Sequence, residues 1–166
     1  QAEGWRAVAD RVHEEGGTLF MQIMHGGRTS HPDLIDGANP KAPSAFDWGG
    51  TVRGFAGKMD APVPRELKKE ELPRIVDEFR QGARRAIDAG VDGVEIHGAN
   101  GYLLHEFMAP SANKREDEFG GSPENRWRLP EMVIRAVVEE IGADRVGVRF
   151  SPAHNVQGVI EDDQED

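Results

Sequence analysis

The feature that most limits the fold of this 166-residue chain is a threefold alternation of helical and strand patterns. Apolar residues at helical spacing precede a short apolar run ending at Met24, and the same order recurs before His97 and before Phe150. Consecutive strands separated by helices pair in parallel through right-handed crossovers. The alternation therefore predicts an α/β fold with a parallel sheet.

The boundaries of these elements follow from glycine and cap signals. Three strands are predicted at 18–24, 93–97 and 146–150. The long helices that precede them are predicted to end at the glycines at 16 and 17, at Gly90 and at Gly142. The last of these helices is expected to begin at Ser122 and Pro123, and a short helix is expected at 102–108.

Residues 25–66 show no sustained periodicity and are rich in Gly, Pro, Asn and Asp. Loops of this length inside a compact domain are usually either functional or disordered. Phe46, Trp48, Phe55 and Met59 give this segment apolar groups with which to pack. We therefore expect an ordered, lid-like excursion from the sheet.

Charge and cysteine content narrow the classes of partner. The chain has 20 Lys and Arg against 30 Asp and Glu, a formal charge of -10, which argues against nucleic acid and membrane surfaces as partners. Apolar runs are too short to span a bilayer. The absence of cysteine excludes disulfides and thiolate metal sites, and a cytoplasmic location is expected.

Both ends of the sequence predict a segment truncated from a longer chain. Residue 1 is Gln1 rather than a methionine, and residues 161–166 are acidic without a helical pattern. A solvated acidic terminus is the alternative for the second end.

Polar side chains lie at the same end of all three predicted strands. Gln22, His97 and Arg149 fall in or at the end of a strand, and Asn100 and Tyr102 follow the second strand directly. Ligands of parallel α/β folds gather at the carboxyl ends of strands. An unpaired buried polar group costs about 1–3 kcal/mol, so three such strands together predict a binding site.

Each of these residues also has a structural interpretation. Gln22 could hydrogen-bond a neighbouring strand, His97 could be a core histidine with satisfied nitrogens, and Arg149 could pair with Glu95. The sequence supports neither a nucleotide-phosphate site nor a serine-nucleophile site, because it lacks a phosphate-binding glycine loop and a nucleophile elbow. The spacing of His25 and His31 predicts no metal site.

Several motifs resemble the Old Yellow Enzyme family. They are QIMHGGR at 22–28, APSA at 42–45, GVEIHGANGYLL at 93–104, NKREDEFGGSPENR at 113–126 and VRFSP at 148–152. The resemblance extends over nearly the whole chain. It implies a segment of a (β/α)8 TIM barrel, about strands 3 to 5 with their helices, and it implies that residues 1–166 form part of a domain that binds FMN non-covalently.

The resemblance also implies roles for individual side chains. Gln22 and Arg149 are expected to hydrogen-bond the pyrimidine end of FMN, where a guanidinium favours the reduced anion. His97 and Asn100 are expected to bind the carbonyl or nitro oxygen of the substrate, on which negative charge develops. Tyr102 is expected to donate a proton to the α-carbon.

Two positions depart from the common family pattern. Met24 lies where many members carry an aromatic or other large residue beside the substrate, and a methionine adapts to several packings. Glu116 replaces the usual threonine of the loop after the second strand. Four polar residues of this loop are interpreted as a structural network: Arg115, Asp117, Asn125 and Arg126.

The leading functional hypothesis is an NAD(P)H-dependent, FMN-mediated reduction of the C=C bond of α,β-unsaturated carbonyl or nitro compounds. One alternative is a 2,4-dienoyl-reductase-like flavin barrel with an iron–sulfur domain further along the chain. A second alternative is a non-catalytic barrel fragment, because an open three-stranded sheet has two exposed edges. Such a fragment would self-associate or dock onto a complementary barrel segment.

Overall fold

The computed structural model describes residues 2–153 and 155–160. The predicted acidic terminus at 161–166 lies outside the described residues. The helices are α1 (Ala2–Glu14), α2 (Leu72–Asp88), α3 (Leu103–Met108) and α4 (Pro123–Ile141). The strands are β1 (Phe20–Ile23), β2 (Lys41–Ala42), β3 (Thr51–Gly54), β4 (Gly57–Asp60), β5 (Arg65–Glu66), β6 (Gly93–His97) and β7 (Val146–Arg149).

The main sheet has three parallel strands in the order β1-β6-β7. Gln22 stands opposite Glu95 in the register of β1 and β6, and His97 stands opposite Arg149 in that of β6 and β7. The helical crossovers and the parallel pairing confirm the predicted α/β class. Because all three strands run the same way, their carboxyl ends meet at one edge, where the candidate residues were expected.

The apolar core lies between the sheet and the long helices. Val94 and Ile96 of β6 are fully buried, and they alternate with Glu95 and His97 on the opposite face of the strand. Helices α2 and α4 pack against each other. The core side chains that α2 and α4 contribute are Leu72, Ile75, Phe79, Ala83, Ala86, Leu129, Val133 and Val137.

The long helices form where their sequence signals predict them. The apolar residues of α2 recur every three or four positions, so one stripe is buried and the charged stripe faces solvent. Ser122 caps α4 by accepting a hydrogen bond from the Asn125 backbone N–H, at 3.4 Å. Pro123 occupies the first turn of α4, where no backbone donor is needed.

The segment from His25 to Glu66 has more structure than its sequence predicts. It contains an antiparallel hairpin, β3 with β4, whose strands have only four residues each. It also contains a short parallel pair, β2 with β5, that joins residues 41–42 to the end of the excursion and closes the loop of residues 43–64, which contains the hairpin. The hairpin was not predicted, because four residues are too few to show strand alternation above the background. No helix of the described residues is long and apolar enough to cross a membrane.

Candidate active site

Two of the predicted site residues, Gln22 and Arg149, meet on the open face of the sheet through Glu95. Gln22 donates a hydrogen bond from its amide nitrogen to Glu95 Oε1. Arg149 donates from Nε to the same oxygen at 2.9 Å and from a terminal nitrogen to Glu95 Oε2 at 3.2 Å. Both structural interpretations of the sequence, the cross-strand bond of Gln22 and the pairing of Arg149 with Glu95, are therefore correct. One carboxylate holds both side chains in place.

The charge state of this group follows from its contacts. The Arg149 guanidinium, and after it the Gln22 amide, lower the pKa of the Glu95 carboxyl. The Glu95 carboxylate in turn raises the pKa of Arg149. Glu95 is therefore ionised and Arg149 charged at neutral pH, and the pair is net neutral.

The unused hydrogen-bonding groups of Gln22 and Arg149 fit the pyrimidine end of a flavin. Among the described residues, nothing donates to the Gln22 amide oxygen, and one terminal nitrogen of Arg149 has no acceptor. A flavin pyrimidine offers an N–H for such an acceptor and carbonyl oxygens for such a donor. The chemistry of these two groups is compatible with FMN, and their contact with the cofactor stays a prediction.

His97 lies at the end of β6 and is buried, with 4% of its surface exposed. Both ring nitrogens are buried without a hydrogen-bond partner among the described residues. The interpretation of His97 as a satisfied core histidine is therefore wrong. Burial, and after it the nearby Arg149 charge, lowers the pKa of His97. The ring is neutral at pH 7, with one donor and one acceptor available to a ligand.

Tyr102 contacts His97 directly. The ring centroids are 5.1 Å apart and the ring planes are tilted by 56°. Tyr102 occupies the N-cap position of α3, in an extended backbone conformation. It lines a cavity of about 470 Å3 to which the β3–β4 hairpin also contributes residues. The other lining residues are Thr29, Thr51, Val52, Arg53, Lys58 and Gln157.

Asn100 lies in the tight turn between His97 and Tyr102. Its φ of 56° is left-handed, a conformation in which asparagine is enriched. Its backbone N–H donates to Ser151 Oγ at 2.9 Å, and its carbonyl accepts from Gln157 Nε2 at 2.9 Å. The peptide of Asn100 is therefore fixed from both sides by the segment that follows β7.

Met24 lies apart from the cavity that contains Tyr102. It is 49% exposed and lines two other cavities beside His25. Its predicted contact with substrate stays a prediction.

The loop after β6 is held by the polar network that the sequence predicts. Arg115 is buried and donates to the carbonyl oxygens of Leu67 at 2.6 Å and Pro43 at 3.2 Å, and it pairs with Asp117. Arg126 donates to the carbonyls of Met108 and Gly121. Asn125 accepts from Arg128 at 3.0 Å. These contacts are structural, since none of them reaches His97 or Tyr102.

Comparison with known proteins assigns the family. The profile described as "NADH:flavin oxidoreductase / NADH oxidase family" matches residues 1–164. The chain belongs to the NADH:flavin oxidoreductase / NADH oxidase family. FMN is the cofactor of this family, as the sequence resemblance implied.

Sequence relatives in this flavin oxidoreductase family include plant proteins. The chain is 49% identical over 152 residues to the putative 12-oxophytodienoate reductase-like protein 2A of Arabidopsis thaliana, covering 92% of this chain and 55% of the relative. It is 50% identical over 152 residues to 12-oxophytodienoate reductase 1 of Oryza sativa subsp. japonica, covering 92% of this chain and 39% of the relative.

Solved structures of the flavin oxidoreductase family confirm the fold. The Old Yellow Enzyme homologue from Zymomonas mobilis superposes with a TM-score of 0.96 at 42% identity, covering 99% of this chain and 46% of that one. Morphinone reductase in complex with tetrahydroNAD superposes with a TM-score of 0.93 at 41% identity, covering 99% of this chain and 47% of that one. The chain is a segment of the family's barrel, and it spans about half the length of the relatives it matches.

Two residues of the site were not predicted as such. Glu95 holds both Gln22 and Arg149, and Gln157 holds Asn100. The position of Glu95 two residues before His97, on the same face of β6, was a sequence signal for the first. No sequence signal links Gln157 to Asn100, which precedes it by 57 positions.

Proposed function

We propose that the full-length protein containing this chain reduces the C=C bond of α,β-unsaturated carbonyl or nitro compounds, with FMN as the hydride carrier and NAD(P)H as the reductant. The observation that carries the proposal is His97. Its two ring nitrogens are buried at the carboxyl end of a central strand, without a hydrogen-bond partner in the part of the chain that the structure describes, and its ring lies 5.1 Å from that of Tyr102. A buried polar group without a partner is costly unless a ligand completes its hydrogen bonds.

In this proposal the chain contributes polar contacts both to the cofactor and to the substrate. Bound FMN would supply the hydride that reaches the β-carbon. Gln22 and Arg149, both fixed by Glu95, would hold its pyrimidine end. The positive charge of Arg149 would favour the anionic, reduced form of the ring. Glu95 orders both side chains in advance of binding.

The chain's own residues would carry out the remaining steps. His97 donates a hydrogen bond to the carbonyl or nitro oxygen, with the Asn100 side chain as the second donor. Negative charge develops on that oxygen as the β-carbon is reduced, and donors placed in advance stabilise it. Tyr102 transfers its phenolic proton to the α-carbon and recovers a proton from solvent, which completes the addition of H⁻ and H⁺ across the double bond.

The test uses the full-length protein loaded with FMN. NADPH and NADH oxidation is followed with 2-cyclohexenone, N-ethylmaleimide and a nitroalkene as acceptors. His97→Ala is expected to lower kcat/KM for the enone by about 100-fold, the effect of removing one donor to a developing oxyanion. The matched control is His13→Ala, because His13 lies on the exposed surface of α1 and pairs only with Asp92.

A protein that oxidises neither nicotinamide with any of the three acceptors would contradict the proposal. Equal losses in His97→Ala and His13→Ala would contradict the role of His97. Cytoplasmic location and the preference between NADH and NADPH stay predictions.

The partner required by the proposal is the remainder of the barrel. The sheet of the described residues pairs β6 on both sides, but β1 and β7 each pair on one side only. Its open face also carries the side chain of Phe20, which is 49% exposed. We therefore infer that residues 1–166 are part of one FMN-binding domain, completed by other barrel strands. Separately expressed complementary segments that fail to bind this chain would count against this inference.

A further inference from the structure

Arg28 is the largest fully buried side chain of the described residues, with 1% of its surface exposed. It lies just after β1, outside the Gln22 and His97 groups. The rings of Phe46 and Trp48 lie 5.5 and 4.9 Å from its guanidinium carbon. Among the described residues no carboxylate accepts a hydrogen bond from its guanidinium, whose Nε has no partner.

The environment of Arg28 is poorly explained by stability alone. Its backbone N–H donates to Glu106 Oε1 at 2.8 Å, and Glu106 is completely buried. Burial raises the pKa of Glu106 to about 8, so this carboxyl is mostly protonated at neutral pH and does not neutralise Arg28. A buried charge without a paired counter-ion is usually less stable than an apolar residue of similar volume. A specific geometric task is the better explanation.

That task is visible in two consecutive hydrogen bonds. A terminal nitrogen of Arg28 donates to the Gln157 carbonyl at 3.2 Å. Gln157 Nε2 donates to the Asn100 carbonyl at 2.9 Å. The Arg28 side chain is thus connected to the turn that carries Asn100 and Tyr102, and Gln157 lines the same cavity as Tyr102.

Gln157 packs closely against the turn at Asn100 and Gly101. Asn100 and Gly101 are both left-handed, with φ of 56° and 79°. A Cβ on Gly101 would lie 2.8 Å from Gln157 Cβ and 3.0 Å from the Val156 carbonyl, so only glycine allows this approach. Glycine adopts a positive φ readily and asparagine tolerates it, so the local sequence permits this turn and the bonds from Gln157 and to Ser151 hold it in place.

We propose that Arg28 and Gln157 are positioning residues for the reduction, with Arg28 holding Gln157 and Gln157 holding the 100–102 turn so that Tyr102 faces the substrate cavity. This inference rests on the proposed function of Tyr102. Neither residue touches the reacting atoms.

The segment that carries Gln157 is also held by contacts that involve neither Arg28 nor the Gln157 side chain. Val159 is fully buried beside Ala109 and Ala112, and the Ile160 N–H donates to Ser111 Oγ at 2.7 Å. Loss of the Arg28 or Gln157 contact should therefore leave the segment attached and change only the turn.

The experiment compares Gln157→Met and Arg28→Lys with wild type in the full-length, FMN-loaded protein. Gln157→Met removes the amide donor at nearly constant volume, and Arg28→Lys keeps the charge but loses the guanidinium fork. The control is Gln81→Met, the same chemical change at a glutamine of α2 whose side chain hydrogen-bonds Asp77 and Arg85, one turn away on the same helix. Flavin reduction by NADPH and flavin reoxidation by 2-cyclohexenone are measured separately by stopped flow.

Both variants are expected to slow flavin reoxidation about 10-fold, since small misplacements of a catalytic group are costly. The solvent deuterium isotope effect on reoxidation should increase, because proton transfer from Tyr102 becomes the slower step. In a Tyr102→Phe background, Gln157→Met should cause little further loss, because the two changes act on one group. Parallel losses in both half-reactions without a change in isotope effect would overturn the proposal.

A readout independent of activity is hydrogen–deuterium exchange of residues 98–104. Exchange there should accelerate in Gln157→Met and Arg28→Lys and stay at the wild-type rate in Gln81→Met. If wild type lacked enone turnover, the proposed function would fail, but accelerated exchange confined to 98–104 would still support the positioning contacts. Unchanged exchange in both variants would overturn them.

Discussion

The two faces of the parallel sheet differ in what covers them and in what they carry. On one face, Val94 and Ile96 are fully buried against α2 and α4. On the other face, the same strand presents Glu95 and His97 to the exposed side chains of Gln22 and Arg149. Strand alternation lets consecutive residues serve different purposes. One face of β6 supplies stability, and the other carries the groups that we propose bind the cofactor and the substrate.

The largest difference between the faces should appear in stability. Ile96→Ala removes a fully buried side chain and should lower the free energy of unfolding by about 2–5 kcal/mol. Gln22→Met, on the open face, should change it by about 1 kcal/mol or less, because the amide's single bond to Glu95 is solvent-exposed. Urea denaturation of both variants tests the contrast. Equal destabilisation would show that the open face is part of the core.

Glu106 is an exception to the separation of apolar core and polar site, because it is a fully buried carboxyl among the apolar residues of α3. Its folded pKa of about 8 lies above the ordinary value of 4.5, so between these values the unfolded chain releases a proton that the folded chain keeps. Stability should therefore fall as pH rises through this window, by up to about 1.4 kcal/mol per pH unit, and level off above pH 8.

The test of this pH dependence is Glu106→Gln. The variant keeps an acceptor for the Arg28 N–H but has no proton to release. Its stability relative to wild type should therefore increase between pH 5.5 and pH 8, measured as urea midpoints across this range. A constant difference would mean that the Glu106 carboxyl is ionised in the folded protein, and that it balances Arg28 after all.

A substitution of Arg149 tests whether the open face binds FMN. Arg149→Met in the full-length protein should weaken FMN binding by about 10- to 100-fold, the usual effect of losing a charged hydrogen bond. It should leave the free energy of unfolding of the FMN-free protein nearly unchanged, since the ion pair with Glu95 is half exposed. Flavin fluorescence titration measures the dissociation constant. Arg145→Met, at the exposed opposite end of β7, is the control and should bind FMN as wild type does.

The smallest effect is expected on the solvent side of α2, away from both faces of the sheet. Arg74 and Glu78 form an exposed pair one helical turn apart, at 2.9 Å. Arg74→Ala should cost about 0.5 kcal/mol or less. A loss of about 2 kcal/mol or more in urea denaturation would show that this surface pair contributes as much as a core side chain does, and would contradict the prediction.

The sequence predicts the parts of the fold that have a local signal. One such signal is a long repeat, as in the apolar stripe that continues over the 17 residues of α2. Another is a residue type at a single position, as in the cap at Ser122. The hairpin of β3 and β4 escapes prediction because its pairing, Val52 with Met59 for example, is specified by contacts rather than by a pattern. Local sequence therefore predicts elements that depend on a repeat or a cap, but not elements that depend on contacts between separate positions.

The site shows the same limit more sharply. Gln22, His97 and Arg149 could be predicted because each is a polar residue in an apolar strand. Arg28 could not, since arginine is almost never fully buried and nothing near it in sequence supplies a partner. Its contacts, Trp48, Glu106 and Gln157, come from three distant segments that only the folded chain brings together.

The short pair of β2 and β5 has an evolutionary consequence. Lys41 lies opposite Arg65 and Ala42 opposite Glu66, and the Arg65 N–H donates to the Pro40 carbonyl at 2.7 Å. The two ends of the loop of residues 43–64 are thus held side by side, whatever lies between them. The entropy of closing a loop rises only slowly with its length, by about 0.6 kcal/mol per doubling. Descendants of this gene can therefore lengthen, shorten or exchange the hairpin, and so reshape the cavity that it lines with Tyr102, while the parallel strands keep their sequence.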